Sequence, residues 1–115
     1  MPVIHTHVSC STTQAQREAL KAAYGKAITA VPGKSEGWLM CPFEDNMPIY
    51  FGGSDEAPAA YVEVNVFGTS VARSAWESLT EQISAALNQE LGIPEDRMYI
   101  RYTATTDWGW SGRNF

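Results

Sequence analysis

The chain has 115 residues, a net charge of −5 and 44% apolar content, enough for one domain with a modest core. Its eight Lys and Arg are scattered rather than clustered, which argues against a phosphate-binding nucleic-acid surface. No apolar run approaches the ~18 residues of a membrane-spanning helix. The N-terminus also lacks the basic region and apolar stretch of a signal peptide, so the expected compartment is the cytoplasm, with non-classical secretion left open.

Val3 to Val8 alternates apolar and polar residues and reads as a strand. Cys10 and Cys41 are too few for a disulfide framework and belong to no Cys-x-x-Cys motif; they read as reduced, partly buried thiols, with a bridge between them as the alternative. Ser11, Thr12 and Thr13 offer N-cap oxygens for a helix in which Leu20, Tyr24, Ala27, Ile28 and Val31 recur at helical spacing. Pro32-Gly33 ends that helix. Trp38 to Phe43 reads as a second strand, Asp45 to Pro48 as a turn, and Ile49 to Phe51 as a small additional strand before the loop Gly52 to Glu56.

The second half repeats the plan. Ala60, Val62, Val64 and Val66 form one strand face, and Tyr61, Glu63, Asn65 and Phe67 the other. Thr69 or Ser70 is the expected cap of a helix striped by Trp76, Leu79, Ile83, Leu87 and Leu91. Gly92 suits a left-handed C-cap before Pro94, and Met98 to Thr103 is the last long strand. Two β-α-β units of this size predict an α+β sandwich, a four-stranded mixed sheet with two helices on one face. The other face carries exposed aromatic and polar groups, which points to symmetric self-assembly.

Six features occur in order along nearly the whole chain: Met1-Pro2 opening into a strand; Gly33-Lys34; Phe51-Gly52-Gly53-Ser54 with Glu56 and Pro58; Phe67-Gly68; Pro94 to Ile100; and Gly109-Trp110. With these the chain resembles the macrophage migration inhibitory factor and D-dopachrome tautomerase family of the tautomerase superfamily. The resemblance implies one domain over 1–115 and a homotrimer whose sheets form a barrel-like core, with active sites between neighbouring subunits. It also implies a keto-enol tautomerase of the phenylpyruvate type, needing no cofactor and no metal.

The residues support that chemistry in their own terms. Removal of Met1 exposes the secondary amine of Pro2, fixed at the start of a strand. Burial disfavours an ammonium and lowers its pKa, so a neutral amine is available as general acid/base near neutrality. The charge that develops on a carbonyl oxygen needs a donor, and Lys34 matches the family's substrate-binding lysine. Tyr99 and Arg101 share a strand face, and by resemblance are supplied by the adjacent subunit. Arg101 departs from the asparagine more usual in vertebrate members and suits a carboxylate; an edge arginine in a surface ion pair is the alternative.

Trp38, Phe67, Trp108 and Phe115 match positions around the family's apolar pocket and suit an aryl enol. Trp110 matches it too, with burial in the core as the competing reading. Trp108 replaces smaller aliphatic residues, and the loop Thr103 to Asp107 looks short for the family. His5 and His7 share a strand face, but no Cys or carboxylate at a recognisable spacing accompanies them. They read as hydrogen-bonding along the strand rather than as metal ligands. Glu63 and Asp107 read as single carboxylates without partners. The vertebrate cytokine's Cys-x-x-Cys is absent, with Ala59 and Val62 at the matching positions, so thiol-disulfide chemistry is not expected. Two rival functions remain: a related decarboxylase, dehalogenase or hydratase on the same site, and a cytokine-like or host-modulating protein with a vestigial pocket and an unidentified receptor.

Overall fold

The strict alternation along β3 (Ala60–Phe67) sends its four small apolar side chains into the core and makes it a central strand of the sheet in a computed structural model describing residues 1–115. On one side β3 pairs antiparallel with β1 (Pro2–Val8), from Pro2 opposite Val66 to Val8 opposite Ala60. On the other it pairs parallel with β4 (Met98–Thr105), Ala60 lying level with Met98 and Phe67 with Thr105. The short β2 (Phe43–Glu44) adds parallel to β1, giving the order β2-β1-β3-β4. This is the mixed four-stranded sheet expected, and the helices α1 (Gln14–Ala27) and α2 (Arg73–Leu91) pack on it and on each other.

The core between the layers is continuous. Ile4, Leu20, Tyr24, Ile28, Val62, Val66, Leu79, Ile83, Leu87 and Ile93 have no accessible surface. Thr6 and Tyr24 are buried there as a satisfied pair, their hydroxyls 2.8 Å apart. Both cysteines are free thiols, and burial raises the pKa of each, that of Cys41 to about 11 with Glu36 adding to the rise.

Of the three candidate caps for α1, Thr13 is the one used. Its hydroxyl accepts from the Gln16 N–H while the Gln16 side chain accepts from the Thr13 N–H. The helix ends at Ala27 and tightens into a 3-10 turn over Ile28–Ala30, so Ile28 and Val31 are buried just beyond it. Helix α2 begins at Arg73 behind Ala72, which gives no side-chain cap; Thr69 and Ser70 lie earlier, in the crossing from sheet to helix layer. Gly92 closes α2 in the left-handed conformation expected, with φ 69°.

Three other expectations change. Trp38 to Phe43 is not a continuous strand: Glu36–Trp38 is a 3-10 turn, Met40 makes an isolated bridge to Val3, and only Phe43–Glu44 pair as strand. Pro42 lies between the two stretches and has no N–H to give the ladder, although its carbonyl accepts from Thr6. Ile49 to Phe51 forms no strand; instead Phe51 and Ser54 exchange backbone hydrogen bonds around Gly52 and Gly53, with φ of 57° and 82°. The last long strand runs to Thr105 because its partner β3 offers ladder positions as far as Phe67.

A hairpin too short to leave a periodic signature in the sequence closes the chain. β5 (Gly109–Trp110) and β6 (Arg113–Asn114) are joined by Ser111 and Gly112, both with positive φ, the backbone that a tight two-residue turn requires. No helix is long and apolar enough to cross a membrane.

Candidate active site

One end of the sheet gathers the residues that matter. Pro2 opens β1 and is buried there, level with Val66 on β3 and Ala104 on β4. The Phe67 N–H donates to the Met1 carbonyl at 3.0 Å, and the Met40 N–H to the Pro2 carbonyl at 3.0 Å. The terminus is thus held from both sides, and is not a free tail.

Lys34 arrives from the turn after the first helix, where Gly33 adopts φ 79°. Its ammonium donates to the Phe67 carbonyl at 2.6 Å and lies 5.7 Å from the centre of the Phe67 ring. The same ammonium bears on the terminal amine. Burial lowers the pKa of the Met1 amine from its ordinary value, and the charge and hydrogen bonding of Lys34 lower it further. With Met1 in place the Pro2 nitrogen is an amide and has no basic lone pair.

A cavity of about 470 Å³ opens over this end, lined by Met1, Pro2, Trp38, Met40, Trp108 and Trp110 among others. Trp38 and Trp110 meet edge to face at 5.2 Å, and Phe115 meets Phe67 edge to face at 5.5 Å and lies tilted 6.4 Å from Trp110. The Phe115 N–H donates to the Trp108 carbonyl at 3.1 Å, which ties the C-terminus to the base of the hairpin. Trp110 is therefore not a core residue: it is 47% exposed at the cavity rim. Lys34 and Phe67 line an adjoining cavity of about 280 Å³.

The structure brings together Pro2, Lys34, Trp38, Phe67, Trp108, Trp110 and Phe115. It does not bring Tyr99 and Arg101 to them. On β4 these two stand about 17 Å and about 10 Å along the strand from Ala104, at ~3.3 Å per residue. Tyr99 is 66% exposed and packs on Phe51 at 5.1 Å. Arg101 is exposed, with Glu63 as its register neighbour on β3. His5 is the other register neighbour of Glu63, so that carboxylate is flanked by basic residues on both sides.

Several lining residues escaped the sequence reading. Val3, Gly37, Leu39 and Met40 all border the cavity, and the Phe67 backbone N–H points at the terminus. The Ser111-Gly112 dipeptide between Trp110 and Arg113 was the available signal for the hairpin. Elsewhere, Arg97 joins two of the motif segments. Its guanidinium donates to the carbonyls of Ser54, Ala57 and Pro58 and sits 5.7 Å from the Phe51 ring centre, so it shapes the loop beneath Tyr99.

Comparison with known proteins agrees with this architecture. The family described as "Macrophage migration inhibitory factor (MIF)" matches residues 1–115. Leishmania major MIF2 superposes with a TM-score of 0.92 at 43% identity, covering 100% of this chain and 97% of that one. The Toxoplasma gondii macrophage migration inhibitory factor superposes with a TM-score of 0.84 at 26% identity, covering 98% of this chain and 99% of its own. A macrophage migration inhibitory factor homolog of Trichuris trichiura is 28% identical over the full length of both chains. Sheet order, helix placement and full-length match together make this chain a member of the macrophage migration inhibitory factor family.

Proposed function

We propose that the chain is a cofactor-independent keto-enol tautomerase in which Pro2, freed by removal of Met1, is the general acid/base. The observation that carries this reading is a buried Pro2 at the cavity, next to a Met1 amine whose pKa is lowered first by burial and then by Lys34, surroundings that the Pro2 amine would take over once Met1 is removed. The neutral prolyl nitrogen takes the hydroxyl proton of an enol. The oxygen's electron pair closes the carbonyl, and the C=C pair takes a proton from the prolyl ammonium at the neighbouring carbon. Nothing is oxidised or reduced, so no cofactor is called for.

Lys34 meets the charge that develops on the substrate oxygen. Removal of Met1 also removes the carbonyl that now accepts from the Phe67 N–H, which leaves a backbone donor free to take a second substrate oxygen. Trp38, Trp108, Trp110, Phe67 and Phe115 supply aromatic walls, which favours an aryl enol such as that of phenylpyruvate. Ketonisation of this enol by processed protein is the test. The rate should rise with pH as the prolyl ammonium loses its proton; the burial and the Lys34 charge that lower the Met1 amine would act in the same direction on Pro2, so the midpoint should lie below the ordinary α-amino value of about 8. Absence of turnover by processed protein would overturn the reading and favour a surface-acting role.

Tyr99 and Arg101 enter the site from a neighbouring subunit of a homotrimer. Light scattering at micromolar concentration should report about three times the 12.7 kDa chain mass, and a clean monomer would leave the site without them. Arg101 then reads a substrate carboxylate. Arg101→Ala should weaken acidic substrates by about 1.5–3 kcal/mol, the worth of one hydrogen bond to a charged group, with little effect on their methyl esters. Equal losses for acid and ester would exclude that role.

A further inference from the structure

The face of the sheet turned away from the helices, which would line the inside of the proposed trimer, holds a cluster that tautomerase chemistry does not use. His5 and His7 stand two residues apart on β1, and Glu44 of β2 lies beside them, with one ligand atom from each residue within 4.8 Å of the others. His5 Nε2 is 2.7 Å and His7 Nε2 3.2 Å from the same Glu44 oxygen, Oε2. The two imidazole rings have centroids 4.1 Å apart. Glu44 is the carboxylate missing from the sequence reading of these histidines, because it comes from a strand 37 positions beyond His7.

A backbone carbonyl holds one nitrogen of the His7 ring. His7 Nδ1 lies 2.9 Å from the Tyr61 carbonyl oxygen, which can only accept, so Nδ1 carries the proton. In the neutral ring the lone pair of Nε2 then faces Oε2 of Glu44, 3.2 Å away, one acceptor turned towards another. A backbone carbonyl holding one ring nitrogen so that the other is free is the arrangement found behind metal-bound histidines. The Tyr61 ring stacks on His7 at 5.5 Å, and the His7 side chain is only 10% exposed, so the ring has little freedom to turn away.

We propose that His5, His7 and Glu44 form a binding site for a divalent transition-metal ion of the zinc class. Two imidazole nitrogens and one carboxylate oxygen suit such an ion and leave a position open for water. Metal–ligand bonds of ~2.0–2.1 Å put neighbouring ligand atoms about 3.3 Å apart in a tetrahedron, close to the His7–Glu44 spacing. The His5–Glu44 contact is shorter and must open slightly. Glu44 is half exposed on a two-residue edge strand, and of the three it is the one that can move. Glu63, opposite His5 on β3, is the nearest further carboxylate in the register of this face.

The experiment is calorimetric titration of zinc chloride into the untagged full-length protein in a non-chelating buffer, paralleled by cobalt(II) absorption. The proposal expects one ion per chain with micromolar affinity and tetrahedral cobalt bands. His7→Ala should weaken binding at least 100-fold and Glu44→Gln at least 10-fold, while Cys10→Ser with Cys41→Ser leaves it unchanged. Circular dichroism melting of His7→Ala and of His5→Ala, which spares the buried ring, separates loss of the site from loss of the fold. No binding at 100 µM zinc, binding insensitive to both histidine variants, or binding lost with the cysteines would overturn the proposal.

Discussion

A chain that keeps Met1, or carries any other N-terminal extension, is expected to lose about 10²–10⁴-fold in enol ketonisation, the usual contribution of a positioned general base. The reason is electronic rather than steric. In the extended chain the Pro2 nitrogen is an amide whose lone pair is delocalised into the carbonyl. The fold is not at risk, because Met1 already fits at the end of β1 and its carbonyl accepts from the Phe67 N–H at 3.0 Å. The extended protein should therefore melt like the processed one and show the same mass in solution. Intact-mass measurement fixes which form is in hand. Pro2→Gly, processed to a free glycine, keeps a primary amine at the same place and should retain part of the activity. Equal turnover by extended and processed protein would remove Pro2 from the reaction, and no other base lines the cavity beside it.

The parts of the fold legible in the sequence are those set by a long repeated pattern. β3 alternates over eight residues, and α2 carries its apolar stripe over nineteen, so burial and periodicity agree. Gly92 sat where only a left-handed residue serves, and it adopts that conformation. What escaped was short and set by partners distant in sequence. Two residues of edge strand at Phe43–Glu44 have no period to detect, and Pro42 disguises the register of the segment before them. The hairpin that carries Trp110 is likewise two residues on each side.

The candidate site divides in the same way. Pro2, Lys34 and Phe67 lie at chain landmarks: a terminus, the turn after a helix, and the end of a strand. Their convergence follows from the topology, because β1 and β3 run antiparallel and bring the start of one to the end of the other. The role of Trp110 depended on which way the terminal hairpin folds, which composition does not reveal. The pairing of Glu44 with His5 and His7 depended on strand order, since adjacent strands bring together residues with no local relation in sequence. Tyr99 and Arg101 could not be judged within one chain at all. Their level on β4 separates them from Pro2 within the chain.

Lys34→Ala is expected to lower kcat about 10²–10³-fold, the loss typical when one donor to a developing oxyanion is deleted. A second consequence distinguishes this from a structural defect. The Lys34 charge is one of the causes that depress the Met1 amine, after burial itself, and it would act in the same direction on the Pro2 amine exposed by processing. Without it the amine pKa rises, more of the amine is protonated at a given pH, and the pH–rate midpoint moves upward. Lys34→Arg keeps the charge and should hold the midpoint near that of the parent while losing rate through misplaced donors, because a guanidinium does not substitute geometrically for an ammonium. Lys34→Gln keeps a donor without the charge and should shift the midpoint as alanine does. The ammonium also anchors the Phe67 carbonyl at 2.6 Å, so some loss of thermal stability is expected in every variant except arginine. Melting temperature and pH profile can be read on the same samples. If Lys34→Ala melted lower but kept both rate and midpoint, the lysine would be a tether for Phe67 and no part of the chemistry.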